Sequence, residues 1–232
     1  MQKHILITGA ASGIGRYIAE QYSVDNKYVV VGIDINHIDI SNCLFFQCDL
    51  NNEKNTHQVF DKIEKIDLAI NCAGVSSLRK ELIKFSQSEI IEAWQENFIP
   101  TFNSLKNEIQ VMKKNHGGKI INIASISGEV GMKNFLAYGA AKAAIINMTK
   151  VAAIENAEQR IMINSISPAT IDTPMIRKKY NDQLRDYSEV YYTKDCGKAS
   201  DIFSVVKMLE ENNFMTGNNI SLNGGLTDLL EI

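Results

Sequence analysis

Tyr138 and Lys142 are the two residues of this chain whose types and spacing best suit proton transfer. If Ala137 lies at the start of a helix, side chains four positions apart share one helix face, so an ammonium group stands beside a phenol. A free phenol has a pKa of about 10, and a neighbouring cation favours its ionised form, which brings it towards useful acid–base chemistry near neutral pH. The spacing therefore predicts that Lys142 lowers the pKa of Tyr138. Taken alone, so short a pattern is more often an ordinary helix surface.

Ser125 is the third candidate for this chemistry. It follows an apolar run, residues 119–124, which predicts a buried strand. Open α/β sheets place ligands at the carboxyl ends of their strands, so the hydroxyl of Ser125 is expected to lie near the ligand.

A glycine-rich turn must position the other half of such a site. Residues 3–8 predict a strand, and the helical spacing from Ile14 to Tyr22 predicts a helix directly after it. Gly9, Gly13 and Gly15 fall at the turn and the first helical residues, where missing side chains let a diphosphate approach backbone N–H groups. The spacing is GxxxGxG rather than GxGxxG, and a glycine turn without a ligand is the alternative.

Asp34 follows the apolar run 28–33, about 20 positions beyond the glycine turn. A carboxylate at the end of the second strand accepts hydrogen bonds from an adenosine ribose hydroxyl and repels a 2′-phosphate. Position 12 is serine, and positions 35 and 36 are isoleucine and asparagine, so no cation is nearby for that phosphate. The pattern predicts NAD(H) in preference to NADP(H). A solvated aspartate at a strand end is the alternative.

The remaining segments alternate between strand and helix patterns, which indicates βαβ units and a parallel sheet. Ser86 and Glu89 have the spacing of a helix capping box. The further predicted strands are residues 43–48, 67–71, 162–167 and 219–222, and the further predicted helices are residues 56–63, 86–96, 98–114 and 200–211. No linker or repeat interrupts the series, so one domain over residues 1–232 is expected.

Composition excludes several classes of function. Hydrophobic residues make up 45% and charged residues 22% of 232 residues, as in ordinary globular proteins. The net charge of −3 without a basic block argues against a nucleic-acid binder. No apolar run is long enough for a membrane span and no signal peptide is visible, so a cytoplasmic protein is expected. The four cysteines have no metal-ligand spacing, so no metal is predicted.

Several motifs together resemble the short-chain dehydrogenase/reductase family over essentially the whole chain. Residues 8–15 are similar to its TGxxxGxG loop, residues 71–74 to its NNAG segment, residues 164–169 to its NxxxPG strand end and residues 222–225 to its DGG ending. Asn97, Ser125, Tyr138 and Lys142 match the family's catalytic set in order and spacing. The resemblance implies an α/β Rossmann fold, a doubly wound parallel sheet of about seven strands with helices on both faces.

The resemblance also implies a role for each catalytic residue. Tyr138 would be the general acid–base, Ser125 would hold the substrate oxygen, Lys142 would hydrogen-bond the nicotinamide ribose, and Asn97 would keep a helix open around a water that relays protons. The residues that would line the cofactor are Thr8, Gly9, Ser12, Gly13, Ile14, Gly15, Asp34, Asp49, Leu50, Asn71, Ala73, Gly74, Tyr138, Lys142, Pro168, Ile171 and Thr173. Residues 172–200 would form a substrate lid, and packing of long helices over 98–114 and 138–156 would give a homotetramer or dimer.

Three positions depart from the family pattern. Ala169 replaces a glycine beside the expected nicotinamide end, while Cys72 and Asn223 replace residues of structural motifs. The implied function is an NAD(H)-dependent oxidoreductase acting on a secondary alcohol or ketone, with no nucleic-acid or membrane partner. The alternative is a catalytically silent dinucleotide-binding sensor or scaffold. Epimerase or dehydratase activity is a third hypothesis. It is disfavoured because family members with those activities are usually longer.

Overall fold

A seven-stranded parallel sheet forms the centre of the computed structural model, which describes residues 2–76, 78–179, 181 and 184–227. The sheet order is β3-β2-β1-β4-β5-β6-β9, and β7 and β8 form a separate parallel pair. The strands are β1 (Lys3–Thr8), β2 (Tyr28–Asp34), β3 (Cys43–Gln47), β4 (Leu68–Asn71), β5 (Gly118–Ile123), β6 (Ile161–Pro168), β7 (Ile171–Asp172), β8 (Gly197–Lys198) and β9 (Asn219–Leu222). The predicted doubly wound parallel sheet is confirmed.

Helices cover both faces of this sheet. They are α1 (Gly13–Ser23), α2 (Glu53–Phe60), α3 (Gln87–Asn97), α4 (Ile99–Lys114), α5 (Leu136–Asn156), α6 (Pro174–Lys179) and α7 (Ala199–Glu211). Side chains of α1 and α7 contribute to one apolar cluster, and side chains of α2, α4 and α5 contribute to the other. No helix in the described part of the chain combines the length and apolar character needed to cross a bilayer.

Strand β1 shows why the sequence folds this way. Successive side chains of a strand point to opposite faces, and a parallel strand is buried on both faces. Ile5 and Ile7 join the cluster that contains Tyr22 of α1, whereas Leu6 joins the cluster that contains Met112 of α4. The side chains of one continuous apolar run thus pack into two cores, one on each face of the sheet. This explains why apolar and polar residues do not alternate in the sequence of β1.

Helix starts follow local capping. Ser86 and Glu89 form the predicted capping box at the start of α3. The predicted helix over residues 56–63 is displaced, because α2 runs from Glu53 to Phe60. The side chain of Asn52 accepts a hydrogen bond from the backbone N–H of Asn55 at 3.0 Å, which fixes the earlier start.

A buried polar network lies between β4 and the helix α4. Asn71 donates hydrogen bonds to the Glu108 carboxyl and to the Asn122 side-chain oxygen, each at 2.9 Å. Glu108 is completely buried, and burial raises its pKa to about 8, against the smaller opposing effect of the hydrogen bond from Asn71. This carboxyl group is therefore mostly protonated in the folded protein at neutral pH.

Glu108→Gln is expected to flatten the pH dependence of stability. Below the ordinary pKa of 4.5, Glu108 is protonated in both states and contributes no slope. Between about 4.5 and 8 the unfolded chain releases the proton that the folded chain keeps, so the free energy of unfolding falls by roughly 1.4 kcal/mol per pH unit. Urea denaturation at about pH 5 and about pH 7.5 measures this change. The exposed Glu155→Gln is the control and should keep the wild-type slope; an unchanged slope in Glu108→Gln contradicts the assignment.

Candidate active site

A cavity of about 480 Å³ opens where the carboxyl ends of the central strands meet. Sheet order reverses between β1 and β4, which is where open α/β sheets bind ligands. Most of the predicted site residues line this one cavity: Gly9, Ser12, Gly13, Ile14, Gly15, Asp34, Asp49, Leu50, Ala73, Gly74, Ser125, Tyr138, Lys142, Pro168, Ile171 and Thr173. Thr8, Asn71 and Asn97 are instead buried behind it, where they position the lining segments.

The glycine turn is packed too tightly for side chains. Gly9 has a φ of +68°, and a Cβ there would lie 2.8 Å from the backbone nitrogen of Ala73. A Cβ at Gly15 would lie only 2.2 Å from the carbonyl oxygen of Gly9. Ser12 makes no side-chain cap on α1, and the first turn carries no acidic residue. The unpaired N–H groups and positive dipole end of α1 therefore fit a diphosphate.

Asp34 supports the glycine turn through its carboxylate. One oxygen accepts a hydrogen bond from the backbone N–H of Ala11 and the other from that of Asn36, both at 2.9 Å. Ile35, Asn36 and Asp49 line the cavity beside it. This end of the cavity is acidic and includes no cation among its described lining residues.

Ser125 and Tyr138 face each other at the opposite end. Ser125 begins a short 3₁₀ turn after β5, and its Oγ accepts a hydrogen bond from Ser127 Oγ at 3.0 Å. Tyr138 lies in the first turn of α5, where burial raises its pKa to about 12. A hydrogen bond with Ser125 and the positive charge of Arg79 act in the opposite direction.

Lys142 lies one helical turn after Tyr138, as predicted. The prediction that Lys142 lowers the pKa of Tyr138 is wrong. Lys142 Nζ is 5.6 Å from the centre of the Tyr138 ring and donates a hydrogen bond to the Ile123 carbonyl at 3.0 Å. The opposing contributions to the phenol pKa come from Ser125 and Arg79, and burial outweighs them. Burial also lowers the pKa of Lys142 to about 8. A buried amine beside a carbonyl is suited to donating hydrogen bonds into the cavity.

Asn97 closes α3 immediately before a helix break. Its Oδ1 accepts a hydrogen bond from Val75 N at 3.1 Å, and its Nδ2 donates to Ala93 O at 3.2 Å. Pro100 has no N–H to donate to the carbonyl four residues earlier, so α3 and α4 cannot form one regular helix. A Cβ at Gly74 would lie 3.1 Å from Asn97 Oδ1 and 3.6 Å from Lys142 Nζ. The missing side chain of Gly74 thus leaves room for both polar atoms beside its backbone.

Arg79, Met132 and Phe135 line the cavity and were not anticipated from the sequence. Met175, Ile176 and Tyr191 also line it, and they lie within the predicted lid 172–200. Tyr191, within the predicted lid 172–200, holds Thr170 by accepting from its N–H at 3.0 Å and donating to its Oγ1 at 2.8 Å. The segment predicted to form the lid contains α6 and β8 in its described parts; Tyr180, Asp182 and Gln183 lie outside the described residues.

The three departures from the family pattern have simple structural settings. Ala169 packs against the cluster of Tyr187 and Tyr191. Asn223 accepts a hydrogen bond from Gly225 N at 2.9 Å, as an aspartate would. Burial raises the pKa of the Cys72 thiol to about 12, which makes it a poor nucleophile. Among the described residues, no group of three or more histidine, cysteine, aspartate or glutamate side chains could hold a metal ion.

Comparison with known proteins identifies the family. The family model for short chain dehydrogenases matches residues 3–184. The chain is 32% identical to the NAD-dependent glycerol dehydrogenase of Listeria innocua, over 97% of this chain and 94% of that protein. It is 30% identical to the 3-oxoacyl-acyl-carrier-protein reductase FabG of Buchnera aphidicola, over 97% of each chain.

Two solved structures are similar to this chain over nearly its whole length. ElxO with NADP bound has a TM-score of 0.90 and 28% identity, and the alignment covers 99% of this chain and 100% of that chain. A tyrosine-to-phenylalanine variant of ElxO was solved with NADPH bound, with a TM-score of 0.90 and 29% identity over 99% of this chain and 100% of that one. The chain belongs to the short chain dehydrogenase family.

Proposed function

We propose that this protein is an NAD(H)-dependent oxidoreductase that acts on a secondary alcohol or ketone. One observation carries the proposal: a single cavity joins the glycine turn and Asp34 at one end to Ser125, Tyr138 and Lys142 at the other. A nicotinamide dinucleotide bound along this cavity would supply the hydride chemistry. The family membership supports the reaction class.

The chain's own residues would hold the substrate oxygen and move its proton. Ser125 Oγ and the Tyr138 hydroxyl line the same end of the cavity, so both can hydrogen-bond one oxygen atom. A phenol with a pKa of about 12 is protonated at neutral pH, so Tyr138 is ready to donate a proton to a carbonyl oxygen. Lys142 would hydrogen-bond a ribose hydroxyl, and Asn97 would hold the helix break that borders it.

Preference for NAD(H) over NADP(H) rests on Asp34. A 2′-phosphate placed at this end of the cavity would meet the carboxylates of Asp34 and Asp49. Relatives of both kinds exist, since the Listeria glycerol dehydrogenase is NAD-dependent and ElxO binds NADP. The negative charges of Asp34 and Asp49 in this chain favour NAD(H).

Asp34→Ala is expected to weaken NADH binding more than NADPH binding. Both cofactors lose some affinity, because the mutation also removes the hydrogen bond to Ala11 in the glycine turn. The ratio of the two dissociation constants isolates the effect on the ribose, and it should change by about tenfold, or ~1.4 kcal/mol. Fluorescence titration measures both constants. As a control, Asp39→Ala removes an exposed carboxylate outside the cavity and should leave the ratio unchanged. Equal losses of NADH and NADPH affinity in Asp34→Ala would contradict the proposal that Asp34 sets the preference for NAD(H).

The reaction class is tested by following NADH absorbance with a panel of ketones and the corresponding alcohols. Turnover of at least one secondary alcohol or ketone is expected, and it should be faster with NADH than with NADPH. Tight NADH binding without turnover of any panel member would instead support the alternative, a catalytically silent dinucleotide-binding sensor or scaffold.

We also infer that the chain forms a homo-oligomer, either a tetramer or a dimer. The support is that α4 and α5 present large apolar side chains to solvent, with Phe102 40% exposed, Val151 45% and Ile154 80%.

A cytoplasmic location stays a prediction, and the four free cysteines are consistent with a reducing compartment.

A further inference from the structure

The substrate side of the cavity contains a cation that the proposed chemistry does not use. Two basic residues are found among the described lining residues, Lys142 and Arg79. Lys142 is buried and bonded to the Ile123 carbonyl. Arg79 follows β4 on the exposed segment that leads to α3, and its side chain reaches the cavity from the rim.

Packing against an aromatic ring holds Arg79 near the reactive residues. The guanidinium carbon of Arg79 is 3.9 Å from the centre of the Phe135 ring. Phe135 is the residue before the first turn of α5, three positions ahead of Tyr138. This cation–π contact gives the arginine a fixed place without neutralising its charge. The same charge acts on Tyr138, where it opposes the effect of burial on the phenol.

Carboxylates near Arg79 in the sequence are paired with other cations. Lys80 forms an ion pair with Glu89, and Lys84 forms one with Glu81 at 3.0 Å. No ion pair involves Arg79 among the residues that the structure describes. An arginine that is held on a ring at the mouth of a cavity keeps its N–H donors for an oxyanion, two of whose oxygens can accept parallel hydrogen bonds from the guanidinium.

We propose that the substrate carries a compact oxyanion, a carboxylate or a phosphate, which Arg79 binds while the reacting oxygen lies between Ser125 and Tyr138. The proposal rests on the oxidoreductase function proposed above and names its substrate class. Met132, Phe135 and Ile176 give the cavity apolar walls, which suits a short aliphatic chain that carries the oxyanion.

Matched pairs of carbonyl compounds test this assignment. With NADH, kcat/KM is measured for pyruvate, acetoacetate and levulinate against their methyl esters, and for dihydroxyacetone phosphate against dihydroxyacetone. The wild-type protein should prefer the charged member of at least one pair. Arg79→Gln should lower kcat/KM for that member by about tenfold to a hundredfold and leave the neutral partner within about twofold. Arg79→Lys should restore part of the loss, since the charge returns without the planar fork.

Lys133→Gln is the matched control, because it removes one positive charge from an exposed residue next to Met132 that does not line the cavity. It should keep the wild-type preference. Equal turnover of acids and esters by the wild-type protein would overturn the proposal. So would an equal loss for both members of a pair in Arg79→Gln, which would show that Arg79 acts on Tyr138 and not on the substrate.

Calorimetric titration separates this proposal from the reaction itself. Levulinate and dihydroxyacetone phosphate are titrated into the NADH-saturated wild-type protein and into Arg79→Gln. If no compound is turned over but one of these anions binds and Arg79→Gln abolishes its binding, the oxidoreductase function fails and the oxyanion site stands. If neither anion binds the wild-type protein, the oxyanion site is overturned whatever the turnover result.

Discussion

Tyr138→Phe is expected to lower kcat by roughly a thousandfold while NADH still binds, since a positioned general acid contributes about 10²–10⁴ in rate. Phenylalanine keeps the ring that packs at the start of α5 and removes the hydroxyl that bonds Ser125 and that would carry the proton in the proposed reaction. Stopped-flow absorbance with a substrate from the ketone panel measures kcat, and fluorescence titration measures NADH binding. The separation of the two quantities distinguishes a catalytic role from a structural one.

The control for this result is Tyr192→Phe, which removes a hydroxyl from an exposed tyrosine outside the cavity. It should keep wild-type kcat. Full activity in Tyr138→Phe would show that another group moves the proton. Loss of NADH binding together with activity would show that the hydroxyl supports the fold of the site.

Gly15→Ala is expected to disrupt the dinucleotide half of the site. The added Cβ would lie 2.2 Å from the carbonyl oxygen of Gly9, which belongs to the turn and cannot move independently of β1. Relief requires a shift of α1 away from the turn, so the N–H groups that would bind a diphosphate move as well. We expect the free energy of unfolding to fall by about 1–3 kcal/mol, the usual range for overpacking, and NADH affinity to fall at least about tenfold.

Gly131→Ala is the matched control, because a Cβ at Gly131 has no heavy atom within 4 Å. Urea denaturation and NADH titration of both variants compare the two positions directly. Unchanged NADH affinity in a folded Gly15→Ala protein would mean that the turn tolerates a side chain and that its close packing does not serve the ligand.

Features governed by local chemistry were predictable from the sequence. Ser86 and Glu89 set the start of α3 through a capping box whose two members are three residues apart. Tyr138 and Lys142 share a helix face because helical spacing alone dictates it. The glycine turn and Asp34 were placed correctly at neighbouring strand ends because a parallel sheet brings those ends to one edge.

Features governed by tertiary contacts were not predictable. Arg79 lies in a segment without periodicity, and its position depends on Phe135, which is distant in sequence. The pKa of Tyr138 depends on how deeply it is buried at the start of α5, and the groups that oppose the effect of burial are Ser125 and Arg79 rather than Lys142. Glu108 occupies a helix position that spacing cannot distinguish from an exposed one, and only the packing of α4 on β4 shows that it is buried.

Transfer of deuterium from reduced cofactor to carbon tests the central claim most directly. The wild-type protein is incubated with NADH that carries deuterium in place of both hydrogens on the reactive nicotinamide carbon and with a pool of ketones and keto acids, and the products are examined by mass spectrometry. The proposed function predicts an alcohol with one deuterium on the carbon that bears the new hydroxyl, and none with Tyr138→Phe in the same time. Tight binding of the labelled cofactor with no deuterium in any product would contradict the proposed function and leave a protein that binds the dinucleotide without using it.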